Sequence, residues 1–178
     1  FKRDAVFDCL SRIGSIRQEV NPVTGMDDPW RYRNKTAMPV ANTQDGPAAG
    51  YYASRSHRLV PVTSCLIAHP SSDAAAGCVI RWMREKDIAA YDETTNTGLI
   101  RHIITRNTGS NEVMATLAVN GQNIPYQKEL TDSLRQALPN LASLCVTTQE
   151  NGDNVILGQD YSVLYGSSTL TERIAGLD

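Results

Sequence analysis

No apolar run in this chain approaches the roughly 20 residues that a membrane-spanning helix needs, which excludes an integral helical membrane protein. No C-x-x-C occurs, and the four cysteines at positions 9, 65, 78 and 145 show no paired spacing. A zinc site or iron–sulfur centre cannot be completed from these residues, and a disulfide-stapled secreted fold is not indicated, so the cytoplasm is the expected compartment. The three histidines, at 57, 69 and 102, are too scattered for a metal triad from one motif. There is no G-x-S-x-G, hence no nucleophile elbow. There is no strand followed by a glycine-rich turn and a helix, the usual cradle for a nucleotide-type cofactor. The residues alone do not make this chain an enzyme. It opens Phe1-Lys2-Arg3-Asp4 without a signal peptide or an initiating Met, which reads as part of a longer protein.

What is present is a globular composition, 41% hydrophobic and 20% charged, on 178 residues, enough for one domain with a real core. The net charge of -2 hides an asymmetry. The basic residues gather in the first 106 positions, and the remainder is acidic. A uniform basic coat is excluded, so any nucleic-acid contact must use a local patch. From Arg31 to Val60 run Arg31, Arg33, Lys35, Arg55 and Arg58 against a single acid, Asp45, with Tyr32, Tyr51 and Tyr52 interleaved and His57 nearby. Cations bind phosphate and aromatic faces stack on bases, so this pattern suits RNA. A solvated charged face is the plainer alternative. A second basic group lies in Gly98–Arg106, where period two places His102 and Arg106 on one face with Ile100 and Ile104, and Arg101 on the other. Pairing of these arginines with Asp92 and Glu93 is the alternative there.

The periodicities predict a helix over 4–13 with Val6, Cys9, Leu10 and Ile13 on its stripe, then a loop over 20–31. Strands are expected at 33–40 and 50–54, joined by a long polar loop over 41–49, and at 58–63. Ser71-Ser72-Asp73 is expected to cap a helix reaching about Ile88, with Ala75, Cys78, Val79, Trp82 and Lys86 on one side. Segments 99–106 and 112–119 alternate and read as a hairpin across Asn107–Asn111, and 125–138 as a helix with Leu130, Leu134 and Leu138 inward. Strands are expected at 141–148, 154–157 and 162–165, with Asn151-Gly152-Asp153 as a turn and a last helical piece at 169–174. Hairpins dominate and helices come singly, which argues for an α+β fold, a mostly antiparallel sheet with helices packed on one face. Residues 1–19 read as a separable N-terminal helix and 20–178 as the main unit.

Several short elements, in order, are similar to the RNA (uracil-5-)-methyltransferase family. They are Arg12-Ile13-Gly14, Tyr32-Arg33-Asn34-Lys35 with Pro39-Val40, Gly50-Tyr51-Tyr52, Arg55-Ser56-His57, and Cys65 after Val60-Pro61-Val62. Tyr91-Asp92-Glu93, Gly98-Leu99-Ile100-Arg101-His102 with Arg106, Asn154-Val155-Ile156-Leu157-Gly158 and Leu164-Tyr165-Gly166 complete the set. Each is weak, but the ordered set covers nearly the whole chain. The family methylates carbon 5 of a uridine in ribosomal or transfer RNA, taking the methyl group from S-adenosylmethionine. The resemblance implies the central RNA-recognition domain of such an enzyme. The catalytic residues and the cofactor motif would lie after this chain, and a small β-barrel with three cluster cysteines before it. Residues 1–19 would then pack on the catalytic domain.

Cys65 matches the fourth ligand of the family's 4Fe-4S cluster. Some members lack the cluster, and there the same residue is a core thiol. The chain departs from the family at Val146-Thr147-Thr148-Gln149, where an Asn-rich stretch is common. The resemblance implies structured RNA as partner, touching Arg31, Tyr32, Arg33, Lys35, Tyr51, Arg55, His57, Arg101, His102 and Arg106. No cofactor is expected on this chain itself, and no membrane. The alternative function is a structural or protein-binding α+β module. Convergence of the basic groups on one face would separate the two readings.

Overall fold

A computed structural model of the chain describes residues 1–150 and 155–177. Seven strands form one sheet: β1 (Lys35–Thr43), β2 (Gly46–Tyr52), β3 (Leu59–Pro61), β4 (Ile100–Asn107), β5 (Val113–Val119), β6 (Leu141–Thr148) and β7 (Tyr161–Gly166). Their spatial order is β3-β2-β1-β4-β5-β6-β7. Every neighbouring pair is antiparallel except β5 and β6, which are parallel. The fold is α+β, as expected. The parallel pair follows from its connection: β5 and β6 are joined through helix α3 (Gln127–Ala137), and a crossover helix returns the chain in the same direction.

Helix α2 (Pro70–Glu85) lies with α3 on one face of the sheet. Its stripe of Ala75, Cys78, Val79, Trp82 and Met83 packs with Met38 and Val40 of β1, Ile100 and Ile103 of β4, and Leu117 and Val119 of β5. Leu130, Leu134 and Leu138 extend the same core toward Leu144 and Val146. Burying such side chains contributes about 1.5–3 kcal/mol each. A polar seam inside this layer fixes α2 on the sheet: Thr36 Oγ1 and Ser72 Oγ both bond Thr105 Oγ1, at 2.8 and 2.6 Å.

Several local expectations are corrected. Segment 41–49 is not a long loop, because strands β1 and β2 run to a tight turn at Gln44-Asp45, closed by Gly46 at φ +94. The N-cap of α2 is His69, whose Nδ1 accepts from the Ser71 N–H at 3.3 Å, with Pro70 opening the helix. The first helix is α1 (Lys2–Asp8) followed by a π-helical turn over Cys9–Ile13, and none of its residues is buried. The tail at 169–174 is not helical, and 155–157 form no strand. The expected turn at Asn151-Gly152-Asp153, and Asn154, lie outside the described residues.

Candidate RNA interface

The sheet face opposite the helices carries the site. Its floor is made by the small β1 side chains Ala37, Pro39 and Ala41, which leave a groove of ≈ 610 Å³. Loops 53–58 and 91–97 rise beside it and meet where His57 Nδ1 lies 2.7 Å from Glu93 Oε1. The His57 ring stacks on Tyr52 with centroids 5.6 Å apart. Burial, followed by the nearby Glu93 carboxylate, pushes the Tyr52 phenol up, and Arg101 opposes this. Tyr52, Glu93 and Arg101 are therefore electrostatic neighbours.

β4 contributes Arg101 and His102 through a register shift. Between Ile100 and His102 the pairing with β5 slips by one residue. A bulge of this kind turns a side chain to the face that strict alternation would deny it. Arg101 and His102 thus line the same groove, while Ile100 and Ile103 stay in the helix-side core. Strict period two had put Arg101 on the face away from His102, and Ile100 with His102. Arg101 is buried; Nη1 donates to the Gln149 carbonyl at 2.7 Å, and its guanidinium lies 4.2 Å over the Tyr91 ring. Burial, reinforced by Arg101, depresses His102 to about 4, so the ring is neutral near pH 7. Its buried Nδ1 meets no hydrogen-bond partner among the described residues.

The cations left open to solvent gather at one end of this face. Lys35 and Arg106 are direct cross-strand partners of β1 and β4. Both are exposed, and neither forms an ion pair among the described residues. Arg33 adjoins them, with Nε donating to the Lys35 carbonyl at 3.0 Å. Tyr32 and Arg55 are exposed, the latter in a left-handed turn at φ +56.

Arg31 sits elsewhere, and Tyr51, although among the residues lining the groove, packs against the core. Arg31 Nη1 donates to Asp73 Oδ2 at 2.6 Å and to the Ala68 carbonyl, and Nη2 to Ser64 Oγ, so it pins the entry strand to α2. Tyr51 points to the helix side, packed against the core beside Cys65. Burial, then its hydrogen bond with Cys65, pushes its phenol up to about 12. At Cys65 burial opposes ionisation, but bonds from the Ile67 and Ala68 N–H groups and the Tyr51 hydroxyl prevail, and the thiol lies below its ordinary value. All four cysteines are free, and no cluster of three His, Cys, Asp or Glu fit to hold a metal is found among the described residues.

Sequence reasoning counted Tyr52 among the interleaved aromatics and Glu93 as a possible partner of the arginines, but named neither, nor Tyr91, as a site residue. The Tyr91-Asp92-Glu93 motif was the available signal, but only the fold brings it against Arg101 and His57.

Comparison with known proteins places these features. The chain is 37% identical over 99% of its length to an uncharacterized RNA methyltransferase of Caldanaerobacter subterraneus, and 36% identical over 99% to one of Halalkalibacterium halodurans. A third, from Clostridium acetobutylicum, is 33% identical over 98%. Over nearly its whole length the chain is similar to these RNA methyltransferases. It spans 39% of the length of each of these relatives. The crystal structure of the Pyrococcus abyssi tRNA (uracil-54, C5)-methyltransferase, in complex with S-adenosyl-L-homocysteine, shares the fold at TM-score 0.73 and 18% identity, covering 97% of this chain and 38% of that one. No family model matches the chain. The elements that carried the resemblance have structural reasons here. A side chain at Gly50 would strike the Val60 carbonyl of β3, and Gly98, at φ +88, lies against the Ala90 carbonyl.

Proposed function

We propose that this chain is the RNA-holding part of a cytoplasmic uracil-C5 RNA methyltransferase, acting on ribosomal or transfer RNA. The observation that carries the reading is the pair Lys35–Arg106. Like charges directly opposite on a sheet are destabilising, and this pair has no counter-ion among the described residues. A phosphate backbone supplies that counter-ion. Arg33 and Arg55 extend the track, and Tyr32 offers an exposed ring. Arg31, Tyr51 and Arg101 serve by holding the frame, since their polar atoms are engaged within the fold.

The methyl donor of such an enzyme is S-adenosylmethionine. The described residues do not fit it: the β5–α3–β6 crossover enters its helix through Asn120–Tyr126, with one glycine and an acidic first turn, which is no cradle for that molecule. Cys65 does fit one corner of an iron–sulfur cluster, because donors aimed at its sulfur stabilise a thiolate ligand. Its partners would be three cysteines outside the described residues, and the cluster would supply structural cross-linking there. In the full-length parent, iron content of Cys65→Ser against wild type tests that assignment, and unchanged iron removes Cys65 from the site. Residues 1–19, with Val6, Phe7 and Ile13 exposed, would pack on a further domain.

Filter binding of transfer RNA and a ribosomal RNA fragment at rising salt tests the RNA reading. Each phosphate contact contributes about 0.7–0.9 to the log–log salt slope, so Arg33, Lys35 and Arg106 together give a slope of about 2–3. Binding that ignores salt would leave a structural module as the better account.

A further inference from the structure

The groove on the open face differs in chemistry from its basic rim. Its charges are met internally. Glu93 faces His57, Arg101 is spent on Gln149 and the Tyr91 ring, and Asp92 Oδ1 accepts from the Thr94 N–H at 2.8 Å. Two carboxylates beside the floor disfavour a phosphate. What the groove does offer is a floor without large side chains, aromatic rings at its sides, and the ring of an uncharged His102 in its lining. Those features suit a flat, uncharged heterocycle with hydrogen-bonding edges.

The geometry points to a pocket for one unstacked nucleobase of the RNA, seated on Ala37–Pro39–Ala41 beside the Tyr52–His57 stack and Tyr91, with the His102 ring as its hydrogen-bond partner. This rests on the RNA-binding reading above and deepens it. The register supports it: Lys35 and Ala37 are alternate residues on one face of β1, about 7 Å apart. A phosphate held by Lys35 and Arg106 therefore lies about one nucleotide step from the floor. The His57–Glu93 pair ties the two flanking loops to each other, which holds the aromatic walls in place before RNA arrives.

The test uses a hairpin RNA with a single-nucleotide bulge, and the same hairpin with an abasic ribose at the bulge. Wild type is expected to prefer the intact bulge by about 10- to 100-fold, the range of one stacked base. Tyr52→Leu and His102→Phe should lose that preference wholly or in part while binding the abasic hairpin as wild type does. Tyr52→Phe, which keeps the ring, should retain it. Lys35→Ala should weaken both hairpins alike. Equal, salt-dependent binding of both hairpins by wild type would overturn the pocket and leave the RNA reading standing. An equal loss on both hairpins with Tyr52→Leu would do the same. Failure to bind either hairpin would overturn both.

Discussion

Lys35 and Arg106 stand opposite each other on neighbouring antiparallel strands, two cations in register with no acid paired to either among the described residues. A fold selected for stability alone would place an acid at one of the two positions. Lys35→Glu is therefore expected to stabilise the chain by about 0.2–1 kcal/mol, by turning a repulsive cross-strand pair into an attractive one. The same change should cost RNA affinity. Thermal unfolding and RNA binding of the one variant should move in opposite directions. A variant that loses both would mark Lys35 as a structural residue.

His102 gives a pH signature. Burial, with Arg101 beside it, holds its folded value at about 4 against an ordinary 6.5. The unfolded chain then binds the proton first. The stabilising contribution is complete above pH 6.5 and is lost as pH falls from there to 4, by up to roughly 3 kcal/mol. Urea unfolding of His102→Phe should show a flatter dependence across that window. A slope identical to wild type would mean that His102 titrates alike in the folded and unfolded chain, and would contradict the depressed value.

Arg31 tests the division between frame and interface. Its guanidinium bonds Asp73, Ser64 and the Ala68 carbonyl. Arg31→Ala should destabilise by about 1–3 kcal/mol, since Asp73 is largely buried and loses a charged partner. Its RNA salt slope should stay that of wild type. A slope lower by about one would return Arg31 to the phosphate track.

Cys65 should alkylate ahead of Cys78. Donors from Ile67, Ala68 and Tyr51 lower the first thiol, while burial raises the second. Iodoacetamide labelling near pH 7.5, read by mass spectrometry, should show this order, and Tyr51→Phe should slow Cys65 by removing one donor. Faster labelling of Cys78 would contradict the assignment.

The sequence was legible where one periodicity acted alone. The inward stripes of α2 and α3 and the β4–β5 hairpin follow directly from spacing, because each buries a single face. It was illegible where one residue departs from the period. The bulge beside Arg101 has no local marker, since a period-two reading of 98–106 fits the letters equally well. The cap of α2 is a histidine, outside the usual set of Ser, Thr, Asp and Asn, so three polar residues further on drew the boundary instead. The parallel β5–β6 pair was hidden because strand direction is set by the α3 crossover, which the hairpin count obscured. Among the site residues, the cluster of Arg33, Lys35 and Arg106 was visible as two separate basic segments, and only the β1–β4 register joins them. Arg31 and Arg101 look like interface residues by type, yet the fold engages both internally.

The central claim is that Arg33, Lys35 and Arg106 form one phosphate track. The most direct measurement is the salt dependence of RNA binding for Arg33→Ala, Lys35→Ala and Arg106→Ala, beside Arg135→Ala and Arg173→Ala in the acidic half. Each of the first three is predicted to weaken binding and to lower the log–log slope by about one, while the last two leave affinity and slope unchanged. Equal losses at all five positions, or an unchanged slope in the first three, would contradict the claim.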